Sequence, residues 1–186
     1  MALVSLGPTR SDQIVARGAI RCARPQLQKT LQAVTTAADE NVLLTTAFGL
    51  WVTSRAGNTE LRQKADYVAV NVLASVLLPH LIKRLVDQRR PDRYIHGPRN
   101  GIPKSGKADD AFPSGHAVHV GTIAAAVSRQ FPQARGTVWT AGLLLATTRV
   151  LLLAHWLSDV FAGLALGAAL EHVIDRMWRP NQDEAK

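Results

Sequence analysis

The sequence is poor in residues that many functions require. Cys22 is the only cysteine in 186 residues, which excludes an internal disulfide and a cysteine-built metal cage. Aromatic residues make up 5% of the chain and are not interleaved with Lys and Arg, so stacking platforms for single-stranded nucleic acid are missing. No nucleic-acid partner is expected. The N-terminal stretch MALVSLGPTRSDQIVARG lacks a long apolar core followed by a small-residue cleavage site, so no removable signal peptide is expected. Acidic residues are outnumbered by basic ones, giving a formal net charge of +8. That balance favours an anionic partner: nucleic acid, an acidic lipid surface or a phosphorylated substrate. The length fits one domain, and so one site.

Mean hydropathy is only +0.01, but the apolar residues are segregated. They gather at 41–53, 67–82, 117–127, 137–154 and 160–170, which read as five helices. A bilayer core takes about 20 mainly apolar residues per helix, so several blocks reach that length only with their flanks. A soluble helical bundle and a membrane bundle both fit this pattern. Gly163 and Gly167 form a GxxxG that permits close helix approach, and Trp51, Trp139, Trp156 and Trp178 stand near block ends; both features lean toward a membrane. Upstream, Ile20, Leu27, Leu31 and Val34 form a helical stripe with Arg17 and Arg24 at its edge, and Pro25 breaks it in two. Such a basic amphipathic stretch either lies on an anionic membrane surface or covers the bundle. Residues 88–110, rich in Gly, Pro, Arg and Asp, read as a loop. The expected fold class is all-α: a membrane-embedded bundle of five to six helices with the site at one end. The expected organisation is a single domain over 1–186, with an amphipathic region at 1–38, a helical core at 39–178 and a polar tail at 179–186.

Three stretches carry chemistry. In KRLVDQRRP, Lys83 and Arg90 are seven apart, two helical turns, so on a continuing helix both would face one anion. In AFPSGHAVHV, Pro113 disfavours helix at Phe112 and Ser114 is a good N-cap, so a helix starts at Gly115 or His116. Free amides at that end attract an anion, Gly115 allows a close approach, Ser114 can donate its hydroxyl, and His116 stands beside the bound group. In TTRVLLLAHWLSD, Arg149 sits in apolar sequence, where a guanidinium needs an anionic partner or a polar cavity. His155 and Asp159, spaced i, i+4, would share a helical face, leaving one ring nitrogen free as a nucleophile while the carboxylate holds the other. Three cations, a helix mouth and two histidines suit a phosphoryl group, whose transition state spreads charge over its equatorial oxygens.

These stretches resemble the three signature motifs of the type 2 phosphatidic acid phosphatase (PAP2) superfamily, which also includes vanadium haloperoxidases. The resemblance covers 83–159, in the family's order and spacing, with Thr148 where the family commonly has Ser. It implies that His155 attacks phosphorus to give a phosphohistidine, that Asp159 holds its ring, and that His116 protonates the leaving oxygen and then activates water. Lys83, Arg90, Ser114, Gly115 and Arg149 would hold the phosphoryl oxygens. It further implies a multi-pass protein of the cell membrane acting on a lipid phosphate (phosphatidate-, phosphatidylglycerol-phosphate- or polyprenyl-diphosphate-like). No metal and no cofactor are expected, and the resemblance favours a site on the outer face, whereas the cations between 83 and 107 favour a cytoplasmic loop by the positive-inside rule. Two other readings stand beside it: a vanadate-dependent peroxidase using the same pocket, and a non-catalytic basic membrane-binding protein.

Overall fold

The computed structural model describes residues 3–95 and 105–183, with side chains as far as Trp178. Residues 96–104 of the sequence-predicted loop, and 184–186 of the predicted tail, lie outside that description. Four of the five apolar blocks fall wholly in helices, α3 (Glu40–Ser54), α4 (Thr59–Ile82), α6 (Gly115–Gln130) and α8 (Leu157–Asp183); the block at 137–154 forms α7 (Arg135–Leu151) and then leaves the helix, its residues 152–154 making the turn before His155. The amphipathic region forms α1 (Arg10–Cys22) and α2 (Pro25–Thr35), with Pro25 at the start of the second. A single turn, α5 (Pro91–Tyr94), two 3₁₀ turns (Thr36–Ala38 and Pro132–Ala134) and a short parallel pair, β1 (Val4–Leu6) with β2 (Val86–Gln88), complete the described elements.

Local chemistry explains the helix starts. Thr9 and Asp12 form a reciprocal capping box on α1, Asp39 caps α3, Asn58 caps α4 and Ser114 caps α6. The central helix is α6, which packs on α4, α7 and α8. It approaches α8 closely because Gly163 and Gly167 of α8, and Gly121 of α6, offer no Cβ; one added at Gly163 would stand 2.7 Å from the Ser114 carbonyl oxygen. The GxxxG singled out in the sequence is thus the α6–α8 seam. Thr122 Oγ1 ties the seam by donating to the Gly167 carbonyl at 3.1 Å.

Helix direction sets where the site lies. α4 and α7 run toward one end, while α3, α6 and α8 start there, so residues 83, 115, 149 and 157 meet at that end. The opposite end is closed by Glu171, which accepts from Tyr67 Oη and from both Arg129 Nε and Nη2. α1 and its C-cap cover the site end through Ala16, Ala19 and the capping Ala23, which join Ala111, Leu153 and Trp156 in one core cluster.

Two sequence expectations change here. Trp156 is no interfacial residue: it is fully buried, its indole donating to the Arg89 carbonyl at 2.8 Å. The Leu27 and Val34 edge of the amphipathic stripe faces outward, while Gln28 and Thr35 of α2 are buried. Small and polar residues seat this region on the bundle because α2 packs closely on α7, with Gln28 donating to the Leu151 carbonyl at 3.4 Å.

Candidate active site

Every residue expected at the site lies at this one end. Lys83 is the C-cap of α4, Arg90 precedes α5, Ser114, Gly115 and His116 form the mouth of α6, and Arg149 occupies the last turn of α7. His155 stands in the turn between α7 and α8, and Asp159 in the first turn of α8. The electrostatics register the convergence. The charges of Arg149, Lys83 and Arg90 all bear on both His116 and His155.

Lys83 and Arg90 do not share a helical face, as their spacing suggested. α4 ends at Ile82, and residues 86–88 leave it as β2 to pair with the N-terminal strand, a partner some eighty residues away that helical periodicity cannot register. The two cations meet instead on Asp110. Arg90 Nε donates to Asp110 Oδ1 at 2.7 Å, and Lys83 Nζ lies 3.8 Å from Oδ2. Arg90 Nη1 also donates to the Ala154 carbonyl at 3.1 Å, so the nearly buried guanidinium is held in the turn that carries His155. Burial lowers the Lys83 pKa, with Arg90 and Arg149 adding to it and Asp110 opposing. A polar cavity of about 520 Å³, with Lys83, Arg84, Lys107 and Asp110 among its lining residues, opens beside this cluster.

His155 is buried, and its orientation differs from the expected one. The helix starts at Leu157, after His155, so His155 and Asp159 do not share a helical face. The His155 Nδ1 lies 2.6 Å from the Ala111 carbonyl oxygen. A carbonyl only accepts, so Nδ1 carries the proton and Nε2 keeps its lone pair. Asp159 instead acts through the backbone: Oδ2 accepts from the Trp156 amide at 2.8 Å, and the Asp159 carbonyl accepts from the Ser114 amide at 3.3 Å. The Gln88 side chain also hydrogen-bonds the Asp159 carboxylate. Asp159 therefore fastens the His155 turn to the mouth of α6. Burial, then Arg90, Arg149 and Lys83, push the His155 pKa well below its ordinary value, against the opposing Ala111 bond.

At the mouth of α6, Ser114 Oγ accepts from the Ala117 amide at 3.4 Å, which leaves the hydroxyl proton free to donate. The Gly115 and His116 amides precede the first intrahelical bond and carry the positive end of the helix dipole. Gly115 is open, the nearest atom to an added Cβ being Pro79 Cβ at 3.9 Å. The His116 ring stacks on His119, centroids 6.2 Å apart. His119, three residues beyond His116, has its Nδ1 bonded to the Ala38 carbonyl at 3.0 Å. Arg149 Nε is buried without a hydrogen-bond partner, a donor left for a bound anion. Burial, followed by Arg149, holds the His116 pKa far below the usual histidine range.

In the sequence, Asp110 stands out only as half of the one acidic pair near the site and has no assigned role, and the Ala111 carbonyl is not apparent at all. The Asp109–Asp110 doublet, lying between two cation-bearing motifs, was the available signal for the first. A backbone acceptor has no residue code.

Residues 65–183, well over half of the chain, match the family model of the PAP2 superfamily. The chain belongs to that superfamily. It is 38% identical over 144 residues to a lipid A 1-phosphatase of Rhizobium johnstonii, a match that takes in 70% of this chain and 59% of that protein. The chain thus spans under two thirds of the length of that curated relative. Two solved structures share the fold: the transmembrane PAP2-type phosphatidylglycerolphosphate phosphatase of Bacillus subtilis (TM-score 0.62, 19% identity, 89% of this chain and 83% of that one) and Aquifex aeolicus LpxE (TM-score 0.64, 16% identity, 88% and 94%).

Proposed function

We propose that the protein is a metal-independent phosphatase of a lipid phosphate that works through a phosphohistidine on His155. The observation that carries this reading is the His155–Ala111 bond, which leaves Nε2 unprotonated beside three cations and a second histidine. Lys83, Arg90, Arg149, the Ser114 hydroxyl and the amides of Gly115 and His116 bind the phosphoryl oxygens and take up the charge of the transition state. His155 Nε2 forms the bond to phosphorus as the bond to the alkoxy oxygen breaks. His116 gives that oxygen its proton. In the empty site His116 is held neutral; a phosphate dianion offsets Arg149, Lys83 and Arg90 and favours the protonated ring that a general acid needs. In the second half His116 takes a proton from water as the oxygen attacks the phosphohistidine, releasing inorganic phosphate and free His155. Asp110 cedes Lys83 and Arg90 to the substrate.

A lipid substrate is supported by the surroundings of the site. Two helices, Thr59–Ile82 and Leu157–Trp178, are long and apolar enough to cross a membrane, and Leu73, Leu77, Leu144, Phe161 and Met177 turn outward. We read the protein as multi-pass through at least α4 and α8, with the site at an interface where a headgroup reaches it. The relatives named above include phosphatases of lipid A and of phosphatidylglycerolphosphate, so the substrate class is an anionic lipid carrying a terminal phosphate. The family resemblance favours an outward-facing site, whereas the cations of the site end (Lys83, Arg84, Arg89, Arg90, Arg93 and Lys107) outnumber Arg55, Arg62, Lys64 and Arg135 at the other end and favour the cytoplasm by the positive-inside rule. Cys22, exposed on α1 at the site end, reports this directly: a membrane-impermeant thiol reagent labels it in intact cells if the site faces out and only in lysed cells if it does not.

Phosphate release from lipid A, phosphatidic acid, phosphatidylglycerol phosphate and a polyprenyl diphosphate, in detergent with EDTA, tests the activity. Wild type releases phosphate from at least one and His155→Ala from none. Release by the variant, or loss of wild-type activity to EDTA, contradicts the reading.

A further inference from the structure

The residues that match the family begin at 65, yet the segment before them is fastened to the reaction centre at two points. Leu3 and Val4 donate to the Leu85 carbonyl, and β1 pairs with β2, which leads directly into Arg90. The second point is Asp12 of α1. Its carboxylate is 2% exposed and takes four hydrogen bonds: from the Thr9 amide at 2.9 Å, the Thr9 hydroxyl at 2.7 Å, the Ser158 amide at 2.9 Å and the Ser158 hydroxyl at 2.8 Å.

Ser158 stands between His155 and Asp159 at the first turn of α8. One carboxylate therefore caps two helix starts, its bond to Ser158 reaching across 146 residues of sequence. An ordinary capping box needs only the Thr9 half of this arrangement. Burial works to raise the Asp12 pKa, but the bonds from Ser158 and Thr9 outweigh it and hold the group ionised. On the Asp159 side the same turn is held by the Trp156 amide, so residues 156 and 158 are anchored by two different carboxylates.

We propose that Asp12 is a positioning residue for the nucleophile: through Ser158 it holds the turn that aims His155 Nε2 at phosphorus, which makes the N-terminal helix part of the catalytic apparatus. This inference rests on the phosphatase reading above. Asp12 touches none of the residues assigned to the phosphate, so its loss leaves ground-state anion binding intact and disturbs only the alignment of the attacking nitrogen. Near-attack geometry is sensitive to small displacements, and a shift of about 1 Å can cost about 100-fold in rate.

The test compares wild type, Asp12→Asn and Ser158→Ala in three measurements: kcat and KM, inhibition by inorganic phosphate, and inhibition by vanadate. Phosphate reads the anion cradle. Vanadate takes a trigonal-bipyramidal form with an apical histidine nitrogen and so reads the aim of His155. Asp12→Asn is expected to lower kcat by about 10- to 100-fold with KM and phosphate inhibition within about twofold, and to weaken vanadate inhibition in parallel with kcat. Ser158→Ala, which keeps the amide contact, gives a smaller loss of the same kind, and the double variant is no worse than Asp12→Asn alone. Wild-type kcat in a folded Asp12→Asn overturns the inference, as does equal weakening of phosphate and vanadate, the mark of a merely structural defect. If Asp12→Asn does not fold, Ser158→Ala decides by the same criteria. A wild type that turns over no lipid phosphate overturns the phosphatase reading instead.

Discussion

His155 and Ala111 form the hinge of the site: the ring Nδ1 and the carbonyl oxygen are 2.6 Å apart across forty-four residues of chain. The acceptor belongs to the backbone and lies three residues before Ser114, so the segment that builds the mouth of α6 also sets the tautomer of the proposed nucleophile. Ala111 is fully buried against Trp156 and Leu153, which fixes that carbonyl. Enlarging it displaces the acceptor. Ala111→Val is expected to cost about 1–3 kcal/mol of stability by overpacking and to lower kcat at least about tenfold while phosphate inhibition is kept. Unchanged kcat in a destabilised variant would contradict the role given to this bond.

Asp159 serves as a backbone anchor, and its variants should rank accordingly. Asn keeps an oxygen for the Trp156 amide, whereas Ala leaves that buried donor unpaired. Asp159→Asn should therefore retain more than about tenfold the kcat of Asp159→Ala, and the Ala variant should lose about 0.5–2 kcal/mol of stability, the usual range for a lost cap. If both fall equally, the carboxylate charge matters and the anchor account fails.

Asp110 occupies Lys83 and Arg90, two of the cations proposed to bind the phosphate. Asp110→Asn removes a competing charge but slackens Arg90, so inorganic phosphate should inhibit several-fold more strongly while kcat drops. Weaker phosphate inhibition would mean that Asp110 chiefly orders Arg90.

Two glycines of the site should respond in opposite ways. A methyl on Gly163 meets the Ser114 carbonyl at 2.7 Å and Ala117 Cβ at 2.8 Å, so Gly163→Ala should destabilise the α6–α8 seam by about 1–3 kcal/mol. Gly115 has room, so Gly115→Ala should fold with wild-type stability and raise KM by obstructing the approach of phosphate to the amides. Thermal melts in detergent set beside KM values check both.

Acid should destabilise the protein through His155. Its folded pKa is held well below 6.5 by burial and by Arg90, Arg149 and Lys83, so between that depressed value and 6.5 the unfolded chain binds more protons. The stability of the neutral buried ring is fully present above 6.5 and is lost as pH falls toward the folded value. Wild type should thus lose more stability than His155→Gln between about pH 7 and about pH 5. Parallel pH profiles would contradict the buried neutral ring.

The parts of this molecule that follow from local chemistry were readable in the sequence. Ser114 caps the helix at Gly115, Pro25 divides the amphipathic region, and Gly163 and Gly167 form a helix seam, each because spacing within one segment determines the outcome. The relations that depend on distant chain were not. Lys83 and Arg90 meet on Asp110 because β2 pairs with residues 4–6, and the turn before His155 places Leu153 at φ 52, a left-handed conformation that leucine seldom adopts and that an apolar run does not announce. Asp159 sits four residues from His155 yet bonds the backbone, because the helix begins after the histidine.

The most direct test of the account is to trap the intermediate. Wild type and His116→Ala are mixed with the best lipid phosphate labelled at the terminal phosphorus, quenched in alkali and digested. The account predicts label that is stable to base and labile to acid on the peptide containing His155 of the wild type, and slower labelling of that peptide in His116→Ala, which lacks the proton for the leaving oxygen. Turnover without label on that peptide, with inversion at phosphorus, would show direct attack by water and contradict it.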